Sequence, residues 1–423
     1  MRILVIGRGG REHAIVWALS QSSKVSKLFC APGNGGIAGL AECVPIGELE
    51  FERISAFAKE QHIDMVMVAP DDPLAAGLVD HLEAEGITAF GPRANAAIIE
   101  GSKVFTKDLL HKYNIPTAAY ASFDAYEPAL AYLHSQSAPI VIKADGLAAG
   151  KGVTVARTME EAEAALRDIM LDQVFGSAGA KVVIEEFLTG QEMSLLAFVD
   201  GTTVRPMVPS QDHKPVFDND EGPNTGGMGT YSPLPHIPQA IVQEAIDKIV
   251  QPTAEAMVKE GRPFKGVLYA GLILTPQGVK TIEFNARFGD PETQVILPRL
   301  KTDLLDIFMA VINGTLAEQP IEWSDEAAVC VIVASQGYPG SYPKGLPISG
   351  LDQVQDAIVF HAGTALREDG QIVTNGGRVL GITGLGKDIV EARAKAYAEA
   401  ERIQFDGKHF RTDIAMKALK ALV

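Results

Sequence analysis

The sequence predicts a multidomain protein of α/β and α+β class that opens with a parallel sheet covered by helices on both faces. Three observations carry this expectation. The chain has 423 residues, which at the usual ~150 residues per domain makes roughly three domains. Its first hundred residues alternate short apolar runs with helical patterns, as parallel strands joined by helices do. Among its 41 glycines are several clusters in turns that follow predicted strands, and open α/β sheets bind ligands beyond the C-terminal ends of their strands.

Strands are expected over residues 2–6, 27–31 and 65–68, with helices over 11–20, 51–60 and 74–85. A second block begins near Gly101, where Ser102 can cap a helix that runs to Tyr113 and that Pro116 prevents from continuing. Strands over 140–143, 153–156, 181–185 and 192–199 follow, with a helix over 159–170. Residues 209–235 carry Gly, Pro, Asn and Asp without periodicity, which is unusual inside a compact domain unless functional, and they read as a substrate loop. After a helix over 238–259 come strands over 266–274 and 279–284, a polar turn and a helix from Thr302. A third block opens on the apolar run 327–334. It ends with a helix that sets Ile389, Ala392, Ala396, Ala400 and Ile403 on one face.

Composition excludes several functions. With 37 basic and 53 acidic residues the formal charge is -16, which argues against a nucleic-acid partner, since that binding is mostly phosphate neutralisation. Three cysteines, Cys30, Cys43 and Cys330, lack metal-ligand spacing and point to a reducing compartment. The longest apolar run is about eight residues against the ~20 that span a bilayer, so a cytoplasmic protein without membrane contact is expected.

The chemistry-bearing residues lie in five places. The turn Gly7-Arg8-Gly9-Gly10-Arg11-Glu12 joins a strand to a helix, whose N-terminal amides can receive an anion. Glu12 stands where a dinucleotide fingerprint wants glycine, and no acid for a ribose ends the second strand, so a phosphate monoester fits better. Arg8 either adds a phosphate contact or points to solvent. The turns Ala31-Pro32-Gly33-Asn34 and Pro70-Asp71-Asp72-Pro73 also follow strands. In the second block, Lys143 ends an apolar strand ahead of a glycine-rich hairpin, Gly146 to Gly152, that can close over phosphates, and a lysine so placed needs a partner. The run Glu185-Glu186-Phe187-Leu188 and then Glu192 offers backbone groups for an adenine edge and an acid for ribose hydroxyls. Glu283, Asn285 and Arg287 alternate by two and project to one face of a strand. An acid and an amide there suit Mg²⁺ bound with phosphates, and leave Arg287 to clamp a transferring phosphoryl group.

In that order Lys103, Lys143, Glu185 to Glu192 and the Glu-x-Asn-x-Arg strand resemble the ATP-grasp superfamily of carboxylate-amine ligases. The stretches at residues 9–14, 100–103, 142–153, 210–214, 222–229, 283–292, 361–364 and 374–379 are similar, across nearly the whole chain, to those of the glycinamide ribonucleotide synthetase family. The resemblance implies a Rossmann-like domain over 1–101, an ATP-grasp domain over 102–325 with a lid subdomain at about 120–190, and a small mixed α/β domain over 326–423. It implies a ligase of purine biosynthesis that joins glycine to 5-phosphoribosylamine through glycyl phosphate, releasing ADP and phosphate. Lys103, Lys143, Gly150, Lys151, Gly152, Glu185, Glu186, Leu188 and Glu192 would then bind ATP, and Glu283 and Asn285 would bind Mg²⁺ or Mn²⁺. Arg287 and Asp212 would be catalytic. Gly9, Gly10, Arg11, Glu12, Gly33, Asn34, His213, Lys214, Asn224, Thr225, Gly226 and Asp290 would hold the other substrates.

Many members of the superfamily carry a second metal-binding acid where this chain has Tyr269-Ala270-Gly271-Leu272, which leaves Asp212 or Asp290 to complete the shell. Asp212 and His213 are both candidates for accepting a proton or holding the glycine ammonium. A monomer is implied, which could touch the preceding enzyme of the pathway transiently. The alternatives are another ATP-grasp ligase, such as one phosphorylating bicarbonate for a biotin enzyme, a dinucleotide oxidoreductase, and a nucleotide sensor without catalysis.

Overall fold

The structure is a computed structural model that describes residues 1–148 and 152–422. At the N-terminus five parallel strands run edge to edge in the order Glu42–Cys43, Lys27–Pro32, Arg2–Gly7, Met65–Val68 and Ala89–Phe90. Ile3, Leu4, Val5 and Ile6 are fully buried, because helices cover both faces of a parallel sheet and every position of a central strand becomes apolar. The helix expected over 74–85 is broken. Asp71–Ala75 and Leu78–Ala84 are separate helices, divided by Gly77 at φ +91°, a conformation that glycine adopts without steric cost.

Two antiparallel four-stranded sheets follow. One runs Tyr120–Phe123, Val182–Glu186, Ile140–Ala144, Val153–Ala156, with helices Tyr126–His134 and Met159–Met170 packed on it through Ala129, Leu133, Ala162 and Leu166. The other runs Thr203–Pro206, Gln191–Asp200, Lys265–Thr275, Gly278–Asn285. Between residues 209 and 235, read from sequence as irregular, the chain forms four short strands. Two of them, Gln211–Asp212 and Gly229–Ser232, extend the C-terminal sheet of Ala327–Ala334, Arg378–Gly386 and Ala357–His361. The substrate loop is therefore anchored at both ends in a sheet whose other strands come a hundred residues later.

Helix Ile389–Arg402 buries Ile389, Ala392, Ala396 and Ala400 on that sheet, as the periodicity predicts. The three blocks share a core: Phe90 of the N-terminal sheet stacks on Phe308 of helix Leu304–Asn313 with ring centroids 4.1 Å apart, and Cys330 and Phe360 of the third block belong to the same buried cluster. Cys30 and Cys330 are buried and Cys43 is half-buried. Among the described residues no helix is long and apolar enough to cross a membrane.

Candidate active site

A buried carboxylate organises the lysines. Glu185, at the end of Val182–Glu186, lies 3.1 Å from both Lys107 and Lys143, and all three side chains are nearly inaccessible. A buried charge needs a partner, and here one acid answers two cations, leaving a surplus positive charge for an anionic ligand. Burial lowers Lys107 to about 8 in spite of Glu185. Lys107 was not singled out from sequence. It reads there as one more lysine of an amphipathic helix, and only the fold turns it inward to donate to Thr117 at 2.7 Å. Glu185 thus acts through the lysines it anchors. Lys103 donates to the Gly146 carbonyl at 2.9 Å, and Asp145 accepts from Ser102 Oγ and the Val104 amide, both at 3.1 Å, so the helix start and the base of the glycine hairpin are joined. Gly152 closes that base, its carbonyl accepting from the Ala144 amide at 2.8 Å. Gly150 and Lys151 lie outside the described residues.

Glu186 is exposed, its Oε1 accepting from the Ala119 amide at 3.0 Å and from Lys280 at 3.2 Å. Past it, half-buried Leu188 lies in the irregular stretch before Gln191 begins the next strand, in which exposed Glu192 pairs with Ile273 and borders the cleft.

Glu283 and Asn285 share a face of Gly278–Asn285, but the strand ends there, so Arg287 lies in the following turn and not on the strand as expected. Its guanidinium still returns to within 3.4 Å of Asn285 Oδ1. Nor is Arg287 unengaged, because it pairs with Glu100 at 3.0 Å. Burial opposes the charge on Glu283, yet Lys214, Lys143, Lys103 and Arg287 hold its carboxyl below the ordinary value. One carboxylate and one amide oxygen, each facing a cation, form a donor pair suited to a hard divalent ion whose other ligands are phosphate and water oxygens. Among the described residues no group of three or more His, Cys, Asp or Glu could hold a metal by itself.

Asp212 and Lys214 face this cleft together with Glu192, Ser194, Tyr269 and Glu283. Lys214 approaches Glu283 at 3.8 Å. Burial and the surrounding acids push Asp212 up to about 7 in spite of Lys214. Tyr269, which stands where a second metal acid was missed, donates to buried Glu292 at 2.6 Å, and Ser194 lies 3.0 Å from its hydroxyl.

His213 points the other way. Its Nε2 accepts from the Ala415 amide at 3.3 Å, which leaves Nδ1 to donate to the Gly229 carbonyl at 3.2 Å. Burial, with Arg411 nearby, lowers it to about 4. Both nitrogens are consumed in a seam with the C-terminal segment, so of the two candidate proton acceptors only Asp212 faces the cleft.

The N-terminal turn also differs from expectation. The Gly9 amide donates to Glu12 at 2.7 Å and the Arg11 amide approaches Asp290 at 3.4 Å, so the chain's own carboxylates occupy the helix N-terminus where a phosphate was expected. Arg11 is committed to Glu12 at 2.8 Å, and Gly10 faces Gln294. Arg8 pairs with Glu48 and is largely solvent-exposed. Asn34, after Gly33 at φ +75°, donates to the Arg8 and His361 carbonyls at 2.8 Å and accepts from the Gly36 and Ile37 amides, so its side chain joins two domains.

Asp290 is not beside Glu283. It stands where the three domains meet, 3.5 Å from Arg378. Arg378 also donates to the carbonyls of Gly226 at 3.0 Å and Asp290 at 2.9 Å, and Thr225 Oγ1 donates to the Lys214 carbonyl at 2.7 Å, while Asn224 is exposed. Arg378 was legible only as part of a glycine-rich turn at residues 374–379.

In the phosphoribosylglycinamide synthetase family the N domain matches residues 1–100, the ATP-grasp (A) domain residues 101–293 and the C domain residues 328–417. The chain is 52% identical over 420 residues to a phosphoribosylamine–glycine ligase of Halalkalibacterium halodurans, covering 99% of this chain and 97% of that one. It is 53% identical over 415 residues to that of Caldanaerobacter subterraneus subsp. tengcongensis, covering 98% and 99%. The crystal structure of the phosphoribosylamine–glycine ligase from Thermotoga maritima matches with a TM-score of 0.87 at 34% identity, covering 98% of this chain and all of that one. The biotin carboxylase domain of Hydrogenobacter thermophilus 2-oxoglutarate carboxylase shares the fold at 15% identity, with a TM-score of 0.73 over 97% of this chain and 91% of that one. Three family domains in order, and relatives more than half identical over nearly the full length, make this chain a member of the phosphoribosylglycinamide synthetase family, ligases built on the ATP-grasp fold that use ATP with divalent metal ions.

Proposed function

We infer that this chain joins glycine to 5-phosphoribosylamine at the expense of ATP, giving glycinamide ribonucleotide, ADP and phosphate in purine biosynthesis. The observation that carries this is the convergence in one cleft of a phosphate-binding half with a half suited to a small amino acid. The first half is Glu283 and Asn285 with Lys103, Lys143 and Arg287, whose charges act on Glu283; the second is Asp212 and Lys214, which line the cleft beside Glu283. A free carboxylate is a poor acyl donor, and phosphorylation supplies the leaving group.

ATP is assigned to the cleft between the two antiparallel sheets. Glu186 and Leu188 meet the adenine through the chain between the strands, Glu192 meets the ribose, and Lys103, Lys143 and the 146–152 hairpin meet the phosphates. Mg²⁺, with Mn²⁺ as a substitute, on Glu283 and Asn285 would neutralise charge on the transferring phosphoryl group. A glycine carboxylate oxygen attacks the γ-phosphorus and ADP leaves, with Arg287 balancing the charge on the phosphoryl oxygens. Lys214 holds the glycine carboxylate and Asp212 the ammonium, closed in by the loop of Asn224, Thr225 and Gly226. Phosphoribosylamine is assigned to the three-domain junction around Asp290, bordered by Gly9, Gly10, Arg11, Glu12, Gly33 and Asn34, where Arg11 and Arg378 supply positive charge. Its amine attacks the acyl carbon, the bond from that carbon to the phosphate oxygen breaks so that phosphate leaves, and the nitrogen's surplus proton passes to Asp212. The protein is assigned as a cytoplasmic monomer that receives its unstable amine from the preceding enzyme.

Glycine labelled with ¹⁸O in its carboxylate tests the intermediate. One label per turnover should appear in inorganic phosphate. Inorganic phosphate free of ¹⁸O, with the displaced label in water, would exclude glycyl phosphate.

A further inference from the structure

Three features of Arg287 have no counterpart in the roles assigned so far. Its Nη2 is held at 3.0 Å by Glu100 Oε1, and its Nη1 donates to the Phe288 carbonyl at 3.1 Å. The Nε of the same guanidinium is buried and, among the described residues, has no hydrogen-bond partner. A buried donor left without an acceptor is costly unless a ligand supplies one, so one edge of the planar fork is fastened while another is kept for an anion.

Glu100 is itself fixed from both sides. Its Oε2 accepts from the Ala286 amide at 2.8 Å, which pins the main chain where the strand of Glu283 and Asn285 ends. It lies in helix Ala94–Gly101, two residues before Ser102, which caps the next helix, and three before Lys103. The short segment 100–104 thus holds Arg287 through Glu100, the hairpin base through Ser102, Val104 and Asp145, and the Gly146 carbonyl through Lys103.

We propose that Glu100 is a positioning residue for phosphoryl transfer, setting the orientation of Arg287 and its distance from Lys103 so that both cations meet the same phosphoryl group. Glu100 touches neither substrate nor metal: its charge acts through Arg287, and its bond to the Ala286 amide is a separate main-chain contact. The inference rests on the ligase reading. Positioning of this kind is felt in turnover more than in binding, because an arginine displaced by about 1 Å still attracts phosphate but no longer matches the transition state.

Glu100→Gln keeps an oxygen for the Ala286 amide and removes the charge that holds the guanidinium. We expect kcat to fall at least about tenfold with KM for ATP within about threefold of wild type. The melting temperature should stay within about 3 °C of wild type. In an Arg287→Lys background, where no fork remains to be oriented, the same substitution should change kcat by less than about twofold, a non-additivity that only action through Arg287 produces. Should Glu100→Gln fail to fold, Glu100→Asp, which keeps the charge and shortens the reach, is read by the same kcat-against-KM split and the same cycle. Wild-type kcat in a folded variant, or an undiminished effect in the Arg287→Lys background, would overturn the inference. Wild-type protein that turned over ATP without needing glycine would instead refute the ligase reading.

Discussion

Arg378, delivered by the C-terminal sheet, donates to the Asp290 carbonyl at 2.9 Å and reaches the carboxylate of the same residue at 3.5 Å. The same guanidinium holds the Gly226 carbonyl of the substrate loop, so one side chain sets the loop against the turn that follows the metal strand. Arg378→Ala should therefore raise KM for phosphoribosylamine by about tenfold or more and leave KM for ATP within about threefold, since Arg378 contacts the substrate loop and Asp290 and none of the residues assigned to ATP. Steady-state kinetics with each substrate varied in turn check this. An equal rise for ATP would place Arg378 in general stability.

The metal strand gives a second expectation. If Glu283 and Asn285 hold the divalent ion as proposed, Glu283→Gln replaces the charged ligand of the pair with a neutral one and should lower kcat by at least about 100-fold, or nearly 3 kcal/mol, without unfolding the protein. Circular dichroism with turnover at saturating Mg²⁺ separates the two effects. Near-normal turnover would move the metal elsewhere.

Histidines at the domain seams give a third. His361 is lowered to about 4 by burial, and the His361 amide donates to His13 Nδ1 at 2.7 Å. His13 is itself lowered to about 3 by burial and by His361. A folded-state pKa below the unfolded value means the unfolded chain binds protons first, so the stabilising contribution is present above about pH 6.5 and lost as the pH falls towards 4. Relative to His361→Gln, wild type should lose roughly 3 kcal/mol between pH 6.5 and 4. Urea unfolding of both proteins across that range measures the difference. Parallel stability curves would contradict it.

Much of this is legible in the sequence. Strands such as Arg2–Gly7 and the helix carrying Ala392, Ala396 and Ala400 announce themselves because their periodicity is local. The Glu283 and Asn285 pair was legible for the same reason, since alternation puts both on one face. What sequence could not show depends on pairings between distant residues. Glu100 meets Ala286 across 186 positions, and Arg378 meets Asp290 across 88. Alone, each is an unremarkable charge on a helix or a turn. The turn of His213 away from the cleft and the scaffold bonds of Asn34 were hidden for a related reason: a polar residue in a motif can serve substrate or scaffold, and its partners are distant in sequence. The strands within 209–235 were missed because two- to four-residue strands carry no periodicity, and two of them are completed by a sheet formed later in the chain.

The central claim is that one cleft couples phosphorylation of glycine to capture of the acyl group by phosphoribosylamine. It is tested most directly by ADP release from the purified protein with ATP and Mg²⁺, omitting glycine and phosphoribosylamine in turn. Because the acyl phosphate forms only on glycine and turns over only when the amine removes it, the complete mixture should release ADP and glycinamide ribonucleotide in a ratio of about one, and omission of either substrate should reduce ADP release at least about tenfold. ADP release that persists at full rate without glycine, or that responds to bicarbonate in its place, would contradict the account.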